Sequence, residues 1–253
     1  MFPLKDNIPT ERTAYVTIAL IAINVFVYFV LQRGGILSGP SDSSVFNYGA
    51  IPYEITHPGE QCAVSPDMRF VQCGPGLGGP STFFTILSSM FMHGSILHLG
   101  GNMLFLWIFG NNVEDAMGHI RFIVFYLLGG VAALLLQTVI EPNAAIPTVG
   151  ASGAIAAVLG GYILLYPRAR VITVIFIIFF FTILELPAMV VLGLWFLQQV
   201  AFGYFDLANP AGGGGGGVAY FAHIGGFVFG LLTIKLLANR KKDYTAPPKY
   251  PVY

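Results

Sequence analysis

Between Pro167 and Pro187 the chain runs VITVIFIIFFFTIL over residues 171–184, fourteen positions without a charge. If this run crosses a bilayer the chain has seven spans. If it does not, the chain has six and its two ends share a side. Pro167 before it and Glu185-Leu186-Pro187 after it bound an apolar stretch of only about 17 residues, against about 20 for a spanning helix. It is read as a short hydrophobic connection leading into the fifth span.

Working outward, five further apolar runs fall at residues 13–32, 96–109, 122–139, 152–165 and 218–237, with a sixth at about 186–201. The charges test that count. With six spans and the N-terminus inside, the inner side holds Lys5, Arg12, Arg121, Arg168, Arg170, Arg240, Lys241, Lys242 and Lys249, with Lys235 near the inner end of the last span. The outer side holds only Arg33 and Arg69. Cytoplasmic loops carry the excess of Lys and Arg, so this bias sets the orientation, and a seventh span would reverse it for Arg240, Lys241 and Lys242. The first run competes with a cleavable signal peptide. No clean small-x-small site follows it, and it is read as an anchor.

Composition agrees. Of 253 residues, 55% are hydrophobic and 9% charged, where a soluble domain carries about 25% charged residues. The fold class expected is an all-α membrane protein: a six-helix bundle over residues 1–242, with a long extracytoplasmic loop at about 33–83. Residues 243–253, with three prolines, are expected to form a disordered cytoplasmic tail. A net charge of zero gives no reason to expect a nucleic-acid partner. Cys62 and Cys73 lie in the outer loop, too few and too far from paired histidines for a zinc site. A disulfide between them and two free thiols both remain open. The bond would close a ring of about a dozen residues and stabilise the loop by ~2–3 kcal/mol. No metal or cofactor is expected.

Three spans carry polar groups that hydrophobicity would not put there. Ser152 stands in Gly150-Ala151-Ser152-Gly153, at the outer end of span four. His98 and Asn102 lie in the outer half of span two, four residues apart and on one helix face. His223 lies in the outer half of span six. Such groups are costly in lipid and usually face the protein interior or a wet cavity. A serine hydroxyl needs a base before it attacks, and His223 at matched depth can take its proton and later return it to a leaving amine. His98, the Asn102 amide and the Ser152 N–H are candidate donors to an oxyanion. No Asp or Glu is evident near His223, so the expectation is a Ser–His dyad. Gly150 and Gly153 allow close backbone approach beside the serine. Gly226 and Gly230, on the His223 face, would let span four come close. Alone, Gly-x-Ser-Gly is weak, and a lone intramembrane histidine more often packs or relays protons. His93 and His98 do not make a metalloprotease motif. They are five apart, about 140° around a helix, and lack the His-Glu-x-x-His pattern.

Residues 92–102 (MHGSILHLGGN), 150–153 (GASG) and 222–226 (AHIGG) followed by Gly230 together resemble the rhomboid family of intramembrane serine proteases. The resemblance covers nearly the whole chain. It implies Ser152 as nucleophile, His223 as general base, His98 and Asn102 as oxyanion residues, and His93 in a supporting place by a wet cavity. Glu114 resembles a structural acid of the family. Two departures stand out. A Trp-Arg pair of some bacterial members is replaced by Phe84-Thr85, and the aromatic one turn after the nucleophile is replaced by Ala156.

Gly212, Gly213, Gly214, Gly215, Gly216 and Gly217 form an unbroken glycine run before span six. It reads as a linker or, preferred here because it leads to His223, as a mobile cap over the site. The partners expected are transmembrane protein substrates and the lipid bilayer. Cleavage is expected near a segment end, with small residues at the cut. The location expected is the plasma membrane, with both termini cytoplasmic. The competing readings are a six-span transporter or channel and a non-catalytic binder of membrane segments.

Overall fold

The computed structural model describes residues 1–65, 70–177, 180–209 and 218–239. Ten α-helices and five strands follow one another among these residues. They are β1 (Phe2–Asp6), α1 (Tyr15–Phe26), α2 (Asp42–Tyr48), α3 (Pro52–Thr56), β2 (Glu60–Val64), β3 (Val71–Pro75) and α4 (Thr82–Ser88). Then come α5 (Ile96–Phe105), α6 (Asn111–Met117), α7 (His119–Ile140), α8 (Ser152–Leu165), β4 (Arg170–Ile177), β5 (Phe180–Pro187), α9 (Ala188–Ala208) and α10 (Tyr220–Leu237). Wider π-helical turns extend α1 through Val27–Leu31 and join α5 to α6 through Leu106–Gly110.

All six apolar runs are helical. α7, α9 and α10 are long and apolar enough to cross a membrane. The segments Thr82–Phe91 and Ile96–Met117, bent by 79° at their junction, meet the same standard as a pair. Tyr15–Leu31 and Ser152–Leu165 are apolar but shorter. α9, the helix of the expected fifth span, runs seven residues beyond the stretch read from sequence.

The all-α expectation needs correction. The run at 171–184 is neither a span nor an irregular connection. β4 and β5 pair antiparallel from Arg170↔Pro187 to Ile177↔Phe180, and β1 joins the free side of β4. The residues explain it: Val, Ile, Thr and Phe favour a pleated strand, where χ1 is restricted at little cost. Pro3 and Pro187 sit in edge strands, where the missing N–H breaks no ladder. Val171 and Thr173 turn inward and are fully buried, while Phe176, Phe180 and Phe181 are exposed. The 33–83 segment is also more than a loop. It holds α2, α3 and the β2–β3 ribbon, in which Cys62 and Cys73 face each other and are joined by a disulfide. The buried Glu54 of α3 accepts the Cys62 N–H at 2.8 Å, tying helix to ribbon.

α8 is the centre of the bundle. Every residue from Gly153 to Tyr162 is buried, packed chiefly between α7 and α10. Its contact with α10 is made by small residues. A Cβ at Gly226 would run into the Gly153 carbonyl, and one at Gly230 into that of Ala157. Only glycine lets the two backbones meet this closely. At the other end of the bundle, the buried Glu114 accepts the Val16 and Thr17 N–H groups at 2.9 and 2.7 Å, and the Thr17 hydroxyl at 2.7 Å. It so satisfies donors that the first turn of α1 cannot pair internally.

β1 is locked by Asp6, whose Oδ2 accepts from Tyr162 Oη at 2.5 Å and Asn112 Nδ2 at 2.7 Å. Burial pushes this carboxyl up from 3.8 to about 6, against the opposing pull of the Tyr162 hydrogen bond. The folded chain therefore keeps a proton between pH 3.8 and 6 that a released strand gives up. Docking of β1 should be strongest below that window and weaken by about 3 kcal/mol as pH rises through it. Hydrogen exchange of the β1 amides, corrected for intrinsic rates, should show this loss of protection. Asp6→Asn should make it flat, and the same slope in that variant would assign it elsewhere.

Candidate active site

Ser152 is the first residue of α8, set there by a turn that only Gly150 permits. Gly150 has φ +128°, and a Cβ on it would meet His98 Nε2 at 2.7 Å. A side chain there is excluded twice, by backbone conformation and by the imidazole. The serine hydroxyl therefore emerges at the start of a buried helix, beside His98.

The Ser152 Oγ lies 2.8 Å from His223 Nε2, across the α8–α10 contact. The glycine seam that joins these helices is what brings the two groups within hydrogen-bond reach. Gly153 packs against Ala133 of α7 and near the Ala222 carbonyl. The other imidazole nitrogen of His223, Nδ1, lies 2.8 Å from Gln199 Oε1 on α9. The Gln199 amide nitrogen donates to the Trp195 carbonyl at 3.4 Å, which leaves its oxygen for the ring. Trp195, one turn earlier on α9, holds its indole 5.8 Å from the His223 ring at a 38° tilt. An aromatic beside His223 is thus supplied by α9, while position 156 on α8 holds a buried alanine.

His98 and Asn102 both sit on α5, whose start is fixed by Ser95: its Oγ accepts the His98 N–H at 3.1 Å. The Asn102 Nδ2 lies 2.9 Å from His93 Nε2, and the His93 and His98 rings meet edge to face at 5.0 Å. His93 is held in turn by Gln32, which accepts its N–H at 2.9 Å and donates to its carbonyl at 3.0 Å. Ser152, His223, His98, Asn102, Gly150 and Gly153 all line one cavity of about 770 Å³, and Glu141 and Asp206 lie at the same cavity. His93 stands behind Asn102. Gly226 lies in the helix seam. Cys62 and Cys73 belong to the β2–β3 ribbon. The glycines 212–217 and the tail 243–253 lie outside the described residues.

Sequence reasoning missed Gln199, Trp195 and Gln32. Gln199 carried a signal: Gln198-Gln199 is an amide pair within an apolar run, and an amide in a membrane span is costly unless it is used.

A helical membrane bundle with a serine and an imidazole in contact inside it is the class this geometry defines. A sequence-family model described as Rhomboid domain matches residues 80–240, more than half of the chain, and the chain belongs to that family. It is 33% identical over 156 residues to Rhomboid protein 1, mitochondrial, of Saccharomyces cerevisiae, covering 58% of this chain and 40% of that protein. It is 29% identical over 152 residues to the mouse Presenilin-associated rhomboid-like protein, mitochondrial, covering 58% of this chain and 36% of the relative. RHOMBOID-like protein 4 of Arabidopsis thaliana is 33% identical over 148 residues, with coverage of 58% and 32%. The matched region thus spans well under half the length of these relatives.

Proposed function

We propose that this chain is an intramembrane serine endopeptidase that cleaves transmembrane segments of membrane proteins. The observation that carries the reading is the 2.8 Å contact between Ser152 Oγ and His223 Nε2 inside an apolar bundle. Ser152 gives its proton to His223 Nε2 as Oγ attacks a peptide carbonyl. The imidazolium then protonates the leaving amine, and a water activated by the same base releases the acyl group. The oxyanion meets the Ser152 N–H, one of the first-turn donors that no intrahelical carbonyl can reach. It also meets the His98 ring and the second N–H of the Asn102 amide, whose first is engaged with His93. Each such donor contributes about 10²–10³ in rate.

The length of α8 supports a site below the membrane surface. Its 14 residues span about 21 Å, short of the ~30 Å hydrocarbon core. With the Leu165 end at the inner interface, Ser152 lies roughly 10 Å beneath the outer one. The positive-inside bias favours six spans and cytoplasmic termini, in the plasma membrane or, as two relatives' names indicate for them, in the matching polarity of an organelle membrane. The disulfide suits the opposite, oxidising side. A helical substrate hides its carbonyls in i→i−4 bonds, so cleavage is expected near a segment end, at small residues with helix-weakening neighbours.

A fluorophosphonate probe tests the reading. Purified protein should be labelled, and Ser152→Ala and His223→Ala should not. Labelling that survives the loss of Ser152 would overturn it. Solute flux through unlabelled Ser152→Ala protein would favour the transporter instead.

A further inference from the structure

The proposed chemistry leaves one requirement unfilled. Imidazole can place its single proton on either nitrogen, and only the form with Nδ1–H has a free Nε2 lone pair for the serine proton. In a water-exposed site the two forms exchange freely. Here something inside the bundle must choose between them.

We propose that Gln199 is the positioning residue of the site: its Oε1 holds the proton of His223 on Nδ1 and aims Nε2 at Ser152. Three observations carry this. Gln199 Oε1 is 2.8 Å from Nδ1, and Ser152 Oγ is 2.8 Å from Nε2, so both ring nitrogens are engaged at once. The amide is fixed in its flip, because its nitrogen faces the Trp195 carbonyl at 3.4 Å. A carbonyl oxygen can only accept, so the ring nitrogen facing it must be the one bearing hydrogen. Gln199 is also among the few buried residues of α9. That helix otherwise presents Met189, Leu194, Leu197, Phe202 and Phe205 outward, so a buried amide there is placed for a partner rather than for packing.

The choice of an amide has a physical reason. A carboxylate in this position would stabilise the imidazolium more strongly, but an ion in an apolar bundle carries a large desolvation penalty. A carboxamide accepts the same hydrogen bond without a charge. Trp195, on the same face of α9 one turn away, limits the ring from the side. The reacting pair is therefore held by three helices: α8 brings the nucleophile, α10 the base, and α9 the group that orients the base.

The inference rests on the protease reading for its consequence but not for its geometry, and the test separates the two. Protein carrying 15N-labelled histidine should show His223 as the Nδ1–H tautomer by NMR. Gln199→Leu, similar in size and without an acceptor, should give a mixture or the Nε2–H form. Gln199→Glu should restore the Nδ1–H form. In parallel, Gln199→Leu should lower kcat about 10- to 100-fold, less than the ~10⁴-fold that follows when a charged orienting group is replaced, with KM little changed. Gln199→Glu should recover more of kcat than Gln199→Leu. An Nε2–H ring in the wild-type protein, or an unchanged tautomer and kcat in Gln199→Leu, would overturn the proposal. Should Gln199→Leu not accumulate, the wild-type tautomer and the Gln199→Glu kinetics still decide it. A correct tautomer in a protein without Ser152-dependent turnover would support the positioning role and overturn the protease reading alone.

Discussion

Ser152→Ala and His223→Ala are each expected to lower kcat by about 10⁴-fold or more, and the double variant is expected to be no slower than either single one. In the proposed mechanism the two side chains act as one device. Without the base, the Ser152 hydroxyl keeps its proton and attacks poorly; without the hydroxyl, His223 has nothing to activate. Losing the second member of the pair therefore removes nothing further. What remains in both cases is the stabilisation supplied by the Ser152 N–H, His98 and Asn102, together with the hold of the cavity on the substrate. KM should move by only a few fold, since neither group is asked to bind the ground state. The measurement is turnover of a fluorogenic transmembrane peptide in lipid by the four proteins of the cycle. If the two losses multiply instead of saturating, Ser152 and His223 act independently and the dyad is wrong.

The parts of this site that could be read from the chain are those whose polarity clashes with their surroundings. His98, Asn102 and His223 stand out because lipid penalises them, and Ser152 stands out by company. The glycine spacing of Gly226 and Gly230 gives the α8–α10 seam, because period and residue size both survive in one dimension. Gln199 carried the same kind of signal as His223. It stays hidden because a neutral amide has no charge to mark it, and nothing local to His223 or Ala156 in the sequence points to α9, the helix that brings Gln199 and Trp195 to the ring. The β4–β5 hairpin was missed for a different reason. Hydropathy reports how apolar a run is, not its conformation, and residues 171–184 are uniform enough to hide a period of two. The two cues were present: a length too short for a spanning helix, and a composition dominated by Val, Ile, Phe and Thr. The pairing of β1 with β4, some 170 residues away in sequence, adds a partner strand that no local rule reports. Glu114 shows the opposite case. Its place in the chain marked it as structural by resemblance alone, and the reason becomes visible only when α1 is seen resting on its carboxylate.

Gly226→Ala is expected to leave a folded but nearly inactive protein, with turnover reduced about 100-fold and thermal stability clearly lowered. The added methyl group meets the Gly153 carbonyl and lies 3.2 Å from the Ala156 Cβ. The carbonyl is helix backbone and cannot swing aside as a side-chain tip would, so α10 must move away from α8. Overpacking of this kind costs about 1–3 kcal/mol. The catalytic effect is larger than the structural one because of where the wedge enters. Gly153 follows Ser152 directly, and Gly226 lies one turn beyond His223, so separation at the seam is passed straight to the 2.8 Å contact. A misplacement of about 1 Å is enough to cost roughly 10²-fold. Gly226→Val, with two more carbons, should fail to accumulate as folded protein. The control is Gly193→Ala in α9, where a Cβ has open space around it. It should keep full turnover and gain up to about 1 kcal/mol from the better helix former. Turnover and thermal unfolding measured side by side in one detergent decide the matter. If Gly226→Ala behaves like Gly193→Ala in both, the glycine seam does not set the distance between nucleophile and base.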